Sequence, residues 1–218
     1  MSIKAVVAGA SGLIGGTLVK QISNTAKFTE VSLLSRRLTG SYSNNVSEGI
    51  VDFDQLGQSA SVISGDIIFS CLGTTKSKTP KPSTYRKIEF DYTINIAHIG
   101  LEQGVSQFHY VSSMGANPSS ANSYLRLKGE VEEALKILPF KSVHIYQPSY
   151  ITGERRDKRW EDSLMKPIMR LINPLLTGNL SKYKSISAET IASAMLKQSL
   201  KNLEGTFVYP SNLIQQLS

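Results

Sequence analysis

The chain has 218 residues, of which 40% are hydrophobic and 19% charged, so it can bury a core of its own and lacks the composition of a disordered protein. Its formal net charge is +7, from 24 basic and 17 acidic residues. One cysteine and three histidines exclude an internal disulfide and a multi-cysteine metal site, so no metal is expected.

Other features of the sequence bear on the location of the protein and on nucleic-acid binding. No apolar run approaches the ~20 residues of a membrane span, and the N-terminal residues lack the pattern of a signal peptide. A cytoplasmic location is therefore expected. The densest basic cluster contains Arg155, Arg156, Lys158 and Arg159 around Asp157, and we interpret it as a solvated surface. Nucleic-acid binding is not expected, because the basic residues are dispersed and no module of stacking aromatics accompanies them.

Apolar runs alternate with helix-like segments along most of the chain. Strands are predicted at 3–8, 31–34, 50–53, 67–71, 108–112, 143–146 and 206–209, and helices at 13–23, 83–103, 123–137, 163–172 and 188–201. This order predicts an α/β protein with a Rossmann-type doubly wound parallel sheet. We expect one domain, with a dinucleotide-binding core at 1–147 and a small C-terminal lobe at 148–218 on the substrate side of the strand ends.

A glycine-rich motif follows the first predicted strand and opens the first helix. It reads Gly9-Ala10-Ser11-Gly12-Leu13-Ile14-Gly15. Gly9 permits a tight turn, Gly12 lets the backbone approach a pyrophosphate, and Gly15 lets the helix pack closely on the strand. Free N–H groups at the helix start would bind the negative charge. The alternative is a glycine-rich turn without a ligand.

The end of the second strand points to the preferred dinucleotide. NAD-binding proteins usually carry an acidic residue there, whereas this chain has Ser35, Arg36 and Arg37. Two guanidinium groups can neutralise a 2′-phosphate, and Ser35 can donate a further hydrogen bond. We therefore predict NADP(H), with NADPH bound in preference to NADH. The alternative for at least one arginine is a solvent-facing side chain.

Two more strand ends should line the same cleft. After the third strand, Asp52 can accept from the adenine amino group and the Phe53 ring can cover the base; an N-cap and a core aromatic are the alternative. After the fourth strand come Cys71, Leu72, Gly73 and Thr74, and Gly73 would let the backbone pass close to the nicotinamide half. We interpret Cys71 as a small buried side chain rather than a reactive thiol.

A candidate catalytic group lies further along the chain. Tyr124 and Lys128 are four residues apart on one face of a predicted helix, so the ammonium can stabilise the phenolate for proton exchange. Ser112 and Ser113 end the preceding strand and can bind the substrate oxygen. The alternative is a partly exposed Tyr and Lys with serines that cap a turn.

Together these residues resemble the short-chain dehydrogenase/reductase superfamily, and in particular its atypical branch of oxidoreductase Tat-interacting protein-like NAD(P)-binding proteins. The resemblance covers most of the chain and rests on the residues at 9–15, 35–37, 51–53, 71–75, 111–116 and 124–130. It implies an NADPH-binding Rossmann fold with Ser113, Tyr124 and Lys128 in the active site, Ser113 being preferred because such proteins use the second hydroxyl of the pair. Ser112 is then expected beside the cofactor.

One segment departs from that family's pattern. Gln147 stands where related sequences commonly carry an arginine before the proline. The resemblance still implies that backbone of Pro148, Ser149 and Ile151 contacts the nicotinamide amide.

The leading hypothesis is therefore an NADPH-dependent oxidoreductase acting on a small carbonyl or alcohol. An NADPH-binding redox-sensing or scaffold protein with little turnover is the alternative, and sugar-nucleotide epimerisation ranks lower because it needs a larger C-terminal lobe. Arg155, Trp160 and Met165 would set the substrate. A homodimer through the helices at 83–103 and 123–137 is expected only by analogy with the superfamily.

Overall fold

A computed structural model describes residues 2–38, 40, 42–75, 77–153, 172–173, 176 and 178–218. The charged cluster at 155–159, the substrate-setting residues Trp160 and Met165, and almost all of the helix predicted at 163–172 lie outside the described residues.

Seven parallel strands form the main sheet, in the order β3-β2-β1-β4-β5-β6-β9. Their bounds are β1 Ile3–Ala8, β2 Phe28–Ser35, β3 Val46–Ile50, β4 Ile67–Ser70, β5 Gln107–Val111, β6 Ser142–Gln147 and β9 Gly205–Pro210. A second sheet pairs the two short strands β7 Ile151–Thr152 and β8 Ile186–Ser187. The doubly wound parallel sheet predicted from the sequence is confirmed.

Helices cover both faces of this sheet. Their bounds are α1 Leu13–Ser23, α2 Pro82–Arg86, α3 Tyr92–Glu102, α4 Ser123–Lys136, α5 Ala188–Ser199 and α6 Ser211–Leu217, with 3₁₀ turns at Leu56–Val62 and Gly178–Tyr183. Helix α1 packs against α5 on one face, and α3 packs against α4 on the other. No described helix is both long and apolar enough to cross a membrane.

The central strand shows why this arrangement forms. Successive side chains of a strand point to opposite faces, and in β1 Ala5 and Val7 join the core under α1 while Val6 and Ala8 join the core under α3. All four are buried. A run that is apolar at every position suits a parallel strand covered on both faces, which is the pattern that predicted it.

Two predicted elements differ from the structure, and one helix of the structure was not predicted. The strand predicted at 50–53 is wrong: β3 runs over Val46–Ile50, and the chain turns after Val51, where Asp52 accepts a hydrogen bond from the Asp54 N–H (2.9 Å). The single helix predicted at 83–103 is divided by a π-helical segment at Lys87–Asp91. An additional helix, α6, follows β9.

The predicted C-terminal lobe needs a larger correction. Strand β9 pairs with β6 along its whole length and extends the main sheet, and α5 completes the helical layer beside α1. Residues 188–210 therefore belong to the same sheet and helical layers as the preceding elements rather than to a lobe over the strand ends. Burial explains the position of α5, whose Ile191, Ala194 and Met195 lie in the core under α1, whereas β9 is held by its pairing with β6 and by the buried Tyr209.

A row of aromatic rings ties β9 to the sheet. Phe69, His109, His144 and Phe207 lie in register on four neighbouring strands, and adjacent ring centroids are 4.8, 4.3 and 5.2 Å apart. A hydrogen bond of 2.9 Å joins His144 Nδ1 to the hydroxyl of Tyr209. Burial lowers the pKa of His144 to about 4 and that of His109 well below its ordinary value, so both rings are neutral at pH 7.

Candidate functional site

The strand order reverses between β1 and β4, and the predicted site residues gather at the carboxyl ends of these strands and their neighbours. In open α/β sheets this switch point forms the crevice in which ligands bind. The glycine-rich loop leaves β1 there, the 71–74 loop leaves β4, and the two serines follow β5.

The glycine-rich loop requires glycine for steric reasons. Gly9 has a φ of +87°, and a Cβ on it would lie 2.5 Å from the Cys71 carbonyl oxygen. A Cβ on Gly15 would lie 2.2 Å from the carbonyl oxygen of Gly9. Larger residues at either position would force α1 away from the strands, so the predicted roles of Gly9 in the turn and of Gly15 in packing fit the structure.

The start of α1 is open to an anion. Gly12 is the N-cap, no side chain caps the helix, and no acidic residue lies in its first turn. Ser11 and Gly12 are exposed, whereas the side chains of Ala10 and Ile14 belong to the core, so these two can offer only backbone to a ligand. Unpaired N–H groups and the positive end of the helix dipole suit a pyrophosphate.

The end of β2 carries positive charge on the surface. Arg36 and Arg37 are both exposed, while Ser35 is buried and its carbonyl oxygen accepts from the Val51 N–H (2.9 Å). The two guanidinium groups can therefore meet a 2′-phosphate, but the Ser35 side chain lies on the inner side of the strand end.

Asp52 and Phe53 have different surroundings. Asp52 is exposed, and one of its carboxylate oxygens accepts from the Asp54 N–H. Phe53 is buried, with its ring centroid 5.1 Å from that of Tyr92. The structure favours the core aromatic for Phe53, and the prediction that its ring covers a base needs correction because the ring fills the space beneath α3. Asp52 remains available to an adenine amino group.

The loop after β4 passes over the candidate catalytic group. Gly73 is exposed, and the Thr74 N–H donates to Glu89 Oε1 (2.6 Å). Cys71 is half-buried beside the core, and burial raises the pKa of its thiol to about 12. The thiol therefore stays protonated at pH 7, which agrees with its interpretation as a small apolar side chain.

The two serines after β5 are not equivalent. The buried Ser112 hydroxyl donates to Glu132 Oε1, and the Gln147 side-chain amide donates to both oxygens of that carboxylate (2.9 and 3.0 Å). The expectation that Ser112 holds the cofactor is therefore not met by its hydroxyl, which is taken up in the core. Ser113 is only partly buried, and its hydroxyl has a single long contact, 3.4 Å, with the Met114 carbonyl oxygen.

Tyr124 and Lys128 lie one turn apart at the start of α4, as predicted. Asn122 caps this helix, and its side-chain oxygen accepts from the Tyr124 N–H (2.9 Å). Tyr124 is partly buried, whereas Lys128 is 4% exposed and donates to the Val111 carbonyl oxygen (3.2 Å). The helix thus places the phenol near the cleft and the ammonium beneath it.

A carboxylate that the sequence analysis missed binds this lysine. Glu89, 1% exposed, places Oε2 3.1 Å from Lys128 Nζ. Burial is the largest single effect on Lys128 and disfavours its charged form, but the Glu89 carboxylate together with Tyr110 and Tyr124 outweighs it and holds the pKa of Lys128 well above its ordinary value. Nothing in a single sequence indicates that residues 39 positions apart form this pair.

Glu132 is the second residue that the sequence analysis missed, and here a signal existed. It follows Tyr124 and Lys128 at the same four-residue spacing, which places all three on one face of α4. Burial raises the pKa of Glu132 although Ser112 and Gln147 oppose this shift, and no described cation forms an ion pair with it.

The segment after β6 borders the cleft through its backbone. The Pro148 carbonyl oxygen accepts from the Met114 N–H (2.9 Å), and Ile151 belongs to β7. The buried Ser149 hydroxyl bonds to the Lys184 carbonyl oxygen and to Ser211 (2.9 Å for the latter). The Ser149 side chain is therefore committed to the fold, and any contact of this residue with nicotinamide would be through its backbone.

Two further observations concern metal ligands and a cavity elsewhere in the fold. Within the described part of the chain, no three His, Cys, Asp or Glu side chains converge as metal ligands. An open cavity of about 520 Å³ lies on β8 and α5, away from the glycine-rich loop, and its lining includes Lys184, Thr190 and Gln215.

The chain is similar to known proteins along most of its length. The model of the NAD dependent epimerase/dehydratase family matches residues 5–213. Protein HTATIP2 of Rattus norvegicus is 36% identical over an alignment of 195 positions, which covers 80% of this chain and 80% of that protein. Protein FMP52, mitochondrial, of Coccidioides immitis is 27% identical over an alignment of 223 positions, which covers 94% of this chain and 89% of that protein.

Among solved structures, the fold is similar to that of UDP-N-acetylglucosamine 4-epimerase from Methanobrevibacter ruminantium M1 in complex with UDP-N-acetylmuramic acid. The TM-score is 0.71 at 15% identity, over 96% of this chain and 76% of that one. At this identity the likeness concerns the fold alone.

Proposed function

Because the chain belongs to the NAD dependent epimerase/dehydratase family, within the short-chain dehydrogenase/reductase superfamily, we propose that it is an NADPH-dependent oxidoreductase acting on a small carbonyl or alcohol. The observation that carries the proposal is the juxtaposition of an uncapped α1 N-terminus with a Tyr124–Lys128 pair whose lysine is buried and charged. The first feature suits a dinucleotide and the second suits proton exchange with a substrate oxygen.

The residues present fit the dinucleotide. Backbone of the loop from Gly9 to Gly15 and the free N–H groups of α1 would bind the pyrophosphate, and the exposed Arg36 and Arg37 would bind the 2′-phosphate. Asp52 would bind the adenine amino group. Backbone of the 71–74 loop and of 148–151 would face the nicotinamide half.

The chemistry divides between cofactor and protein. When bound, the dinucleotide supplies or accepts a hydride at its nicotinamide ring. Tyr124 would give a proton to the substrate oxygen during reduction, and the Ser113 hydroxyl would donate a hydrogen bond to the same oxygen. The positive charge of Lys128 favours the phenolate that remains on Tyr124.

Paired nucleotide titrations test the cofactor assignment. Purified, cofactor-stripped protein is titrated with NADPH and NADH, following nicotinamide fluorescence. The wild type should prefer NADPH, and Arg36→Ala/Arg37→Ala should weaken NADPH binding by about 100-fold while changing NADH binding by less than about threefold, since one or two charge-assisted hydrogen bonds are lost. Lys20→Ala/Lys27→Ala, which removes the same charge from exposed positions elsewhere, is the control. Equal losses for both nucleotides would reject the 2′-phosphate site.

A second candidate function is an NADPH-binding redox sensor or scaffold with little turnover. It is favoured by the Glu89–Lys128 ion pair, because the Glu89 carboxylate offsets part of the field that the charged ammonium exerts on the Tyr124 phenol. Such a protein would bind NADPH tightly and yet oxidise none of it across a panel of aldehydes and ketones. Sugar-nucleotide epimerisation ranks below both, because β9 pairs within the main sheet and α5 packs beside α1, so neither enlarges a substrate lobe. Incubation with UDP-glucose tests it.

Location and assembly stay predictions. We propose a cytoplasmic location; the FMP52 relatives are named as mitochondrial, and fluorescence imaging of the tagged full chain distinguishes the two. The homodimer expected by analogy through α3 and α4 is tested by light scattering on the purified protein.

A further inference from the structure

Glu89 is the most deeply buried carboxylate of the candidate site; its Oε1 accepts a hydrogen bond, whereas its Oε2 has no hydrogen-bond donor among the described residues and forms an ion pair with Lys128. Oε2 lies 3.1 Å from Lys128 Nζ, and Oε1 accepts from the Thr74 N–H at 2.6 Å. Gly73 lies beside it, since a Cβ there would be 3.5 Å from Oε1. One carboxylate thus joins the loop after β4 to the catalytic helix α4.

The backbone around Glu89 is unusual. Residues Lys87–Asp91 form a π-helical segment between α2 and α3. Such segments insert one residue into a helix, which rotates the preceding turn by ~100° relative to the rest, and they occur frequently at functional sites. Here the segment contains the one acidic side chain that reaches Lys128 among the described residues.

Lys128 depends on this carboxylate. Its ammonium lies 4.9 Å from the Tyr110 ring centroid and donates to the Val111 carbonyl oxygen, and neither group carries a negative charge at pH 7. A lysine buried to this degree without a counter-charge releases its proton readily. The other titratable groups around it are the phenols of Tyr85 on α2, Tyr110 on β5 and Tyr124 on α4, together with the Cys71 thiol after β4.

We propose that Glu89 is a positioning residue that keeps Lys128 charged and in place beneath Tyr124 while fixing the Thr74 backbone against the same helix. The inference rests on the proposed function and adds a residue to its machinery. Glu89 acts through Lys128 and Thr74 and does not itself reach the reacting atoms. The loop predicted to face nicotinamide and the helix that carries Tyr124 are therefore held in one arrangement.

The first measurement needs no cofactor. The Lys128 side chain is followed by ¹³Cε NMR from pH 6 to 11 in the full chain, with Lys128→Met to assign its signal. In the wild type Lys128 should remain charged above pH 10. In Glu89→Gln the titration midpoint of Lys128 should fall by at least one pH unit. Glu133→Gln is the matched control, because it removes a carboxylate paired with an exposed lysine on the same helix (2.7 Å). An unchanged Lys128 midpoint in Glu89→Gln would overturn the proposal.

The second measurement separates positioning from a purely structural ion pair. In Glu89→Gln the pH profile of kcat should gain a descending alkaline limb whose midpoint equals the NMR midpoint of Lys128, while the NADPH Kd changes by less than about threefold. If the titration midpoint of Lys128 shifts but the pH profile of kcat does not change, the ion pair has only a structural role and the proposal is rejected. Glu89→Asp should restore part of the wild-type profile.

Failure of either proposal can be recognised separately. A wild type that binds NADPH but reduces no carbonyl, with Lys128 shifted as expected in Glu89→Gln, would reject the oxidoreductase and retain Glu89 as the residue that keeps Lys128 charged. If Glu89→Gln does not fold, the double variant Glu89→Gln/Lys128→Met decides, because removing both charges leaves no unpaired buried ion. If the double variant unfolds cooperatively, the result supports the ion pair. If the double variant is as unstable as Glu89→Gln alone, the result rejects it.

Discussion

The Ser112 hydroxyl donates a hydrogen bond to the Glu132 carboxylate inside the protein, and this contact separates the roles of the two adjacent serines after β5. Because Ser112 is committed to the core, Ser113 is the hydroxyl left for a substrate. We expect Ser113→Ala to lower kcat by about 10²-fold, the usual cost of one lost donor to the substrate oxygen, with little change in stability.

The matched variant is Ser112→Ala. It should keep most of the turnover but lose roughly 1–3 kcal/mol of unfolding free energy, because Glu132 then lacks one of its buried donors. Steady-state kinetics and urea unfolding of both variants check the pair. The opposite assignment, with Ser112→Ala inactive and Ser113→Ala unstable, would exchange their roles.

Tyr124→Phe tests the proton donor. The variant should lower kcat by about 10³-fold, because the phenol is the group that exchanges the proton, and it should change the NADPH Kd by less than about threefold. Tyr183→Phe removes a hydroxyl from an exposed tyrosine on a 3₁₀ turn and serves as the control. Turnover that survives in Tyr124→Phe would remove Tyr124 from the mechanism.

Gln147→Arg tests the buried Glu132. Burial raises the pKa of this carboxyl, because its charged form has no ion-pair partner among the described cations of the folded protein. An arginine at 147 favours the charged form of Glu132 and lowers its pKa. The gain in unfolding free energy from Gln147→Arg should therefore grow as the pH rises. We expect a gain of roughly 1 kcal/mol at pH 8, or about 2–4 °C in Tm, and a smaller gain at pH 5. In the Glu132→Gln background the pH dependence of the gain should vanish; an equal gain at both pH values would contradict the explanation.

His144, in the row of aromatic rings, predicts that the folded protein loses stability at acid pH. His144 has a folded-state pKa of about 4 against 6.5 when unfolded, so the unfolded state binds more protons between these values and stability falls as the pH drops through that window. Between pH 7.5 and 4.5 this one group should cost roughly 2–3 kcal/mol. His144→Gln should be less stable at pH 7.5 but lose less on acidification, as measured by urea unfolding at both pH values. Identical pH dependences would show that His144 has the same pKa in the folded and unfolded states, and would reject the effect of burial.

Gly15→Ala tests the packing of the phosphate loop. A Cβ 2.2 Å from the Gly9 carbonyl oxygen requires α1 to shift, which should cost at least about 2 kcal/mol, or roughly 4–8 °C in Tm, and weaken NADPH binding. Gly57→Ala, where no atom lies within 4 Å of the new Cβ, should change stability by less than about 0.5 kcal/mol. Differential scanning calorimetry of the two variants makes the comparison, and equal Tm values would refute the packing role.

Much of the fold followed from local patterns. The bounds of β1 and α1 were predicted to the residue, because a continuous apolar run and a glycine-rich turn are local signals. The start of α4 at Ser123 was also predicted, and Asn122 provides the cap. The position of β3 was not, because its exposed, weakly apolar residues are held by pairing with β2 and carry little periodicity of their own.

For the candidate site, the sequence determined which residue types are present and which strand ends carry them: the glycine loop, the arginines after β2, the serines after β5 and the tyrosine and lysine on one face of α4. Only the tertiary structure decided that the Ser112 hydroxyl belongs to Glu132, that the Phe53 ring belongs to the core, that Glu89 binds Lys128, and that β9 and α5 complete the sheet. The physical reason is that a helix face or a strand end is specified by neighbours along the chain, whereas the partner of a buried charge or hydroxyl is specified by the packing of distant segments, in which every buried polar group must find a counterpart.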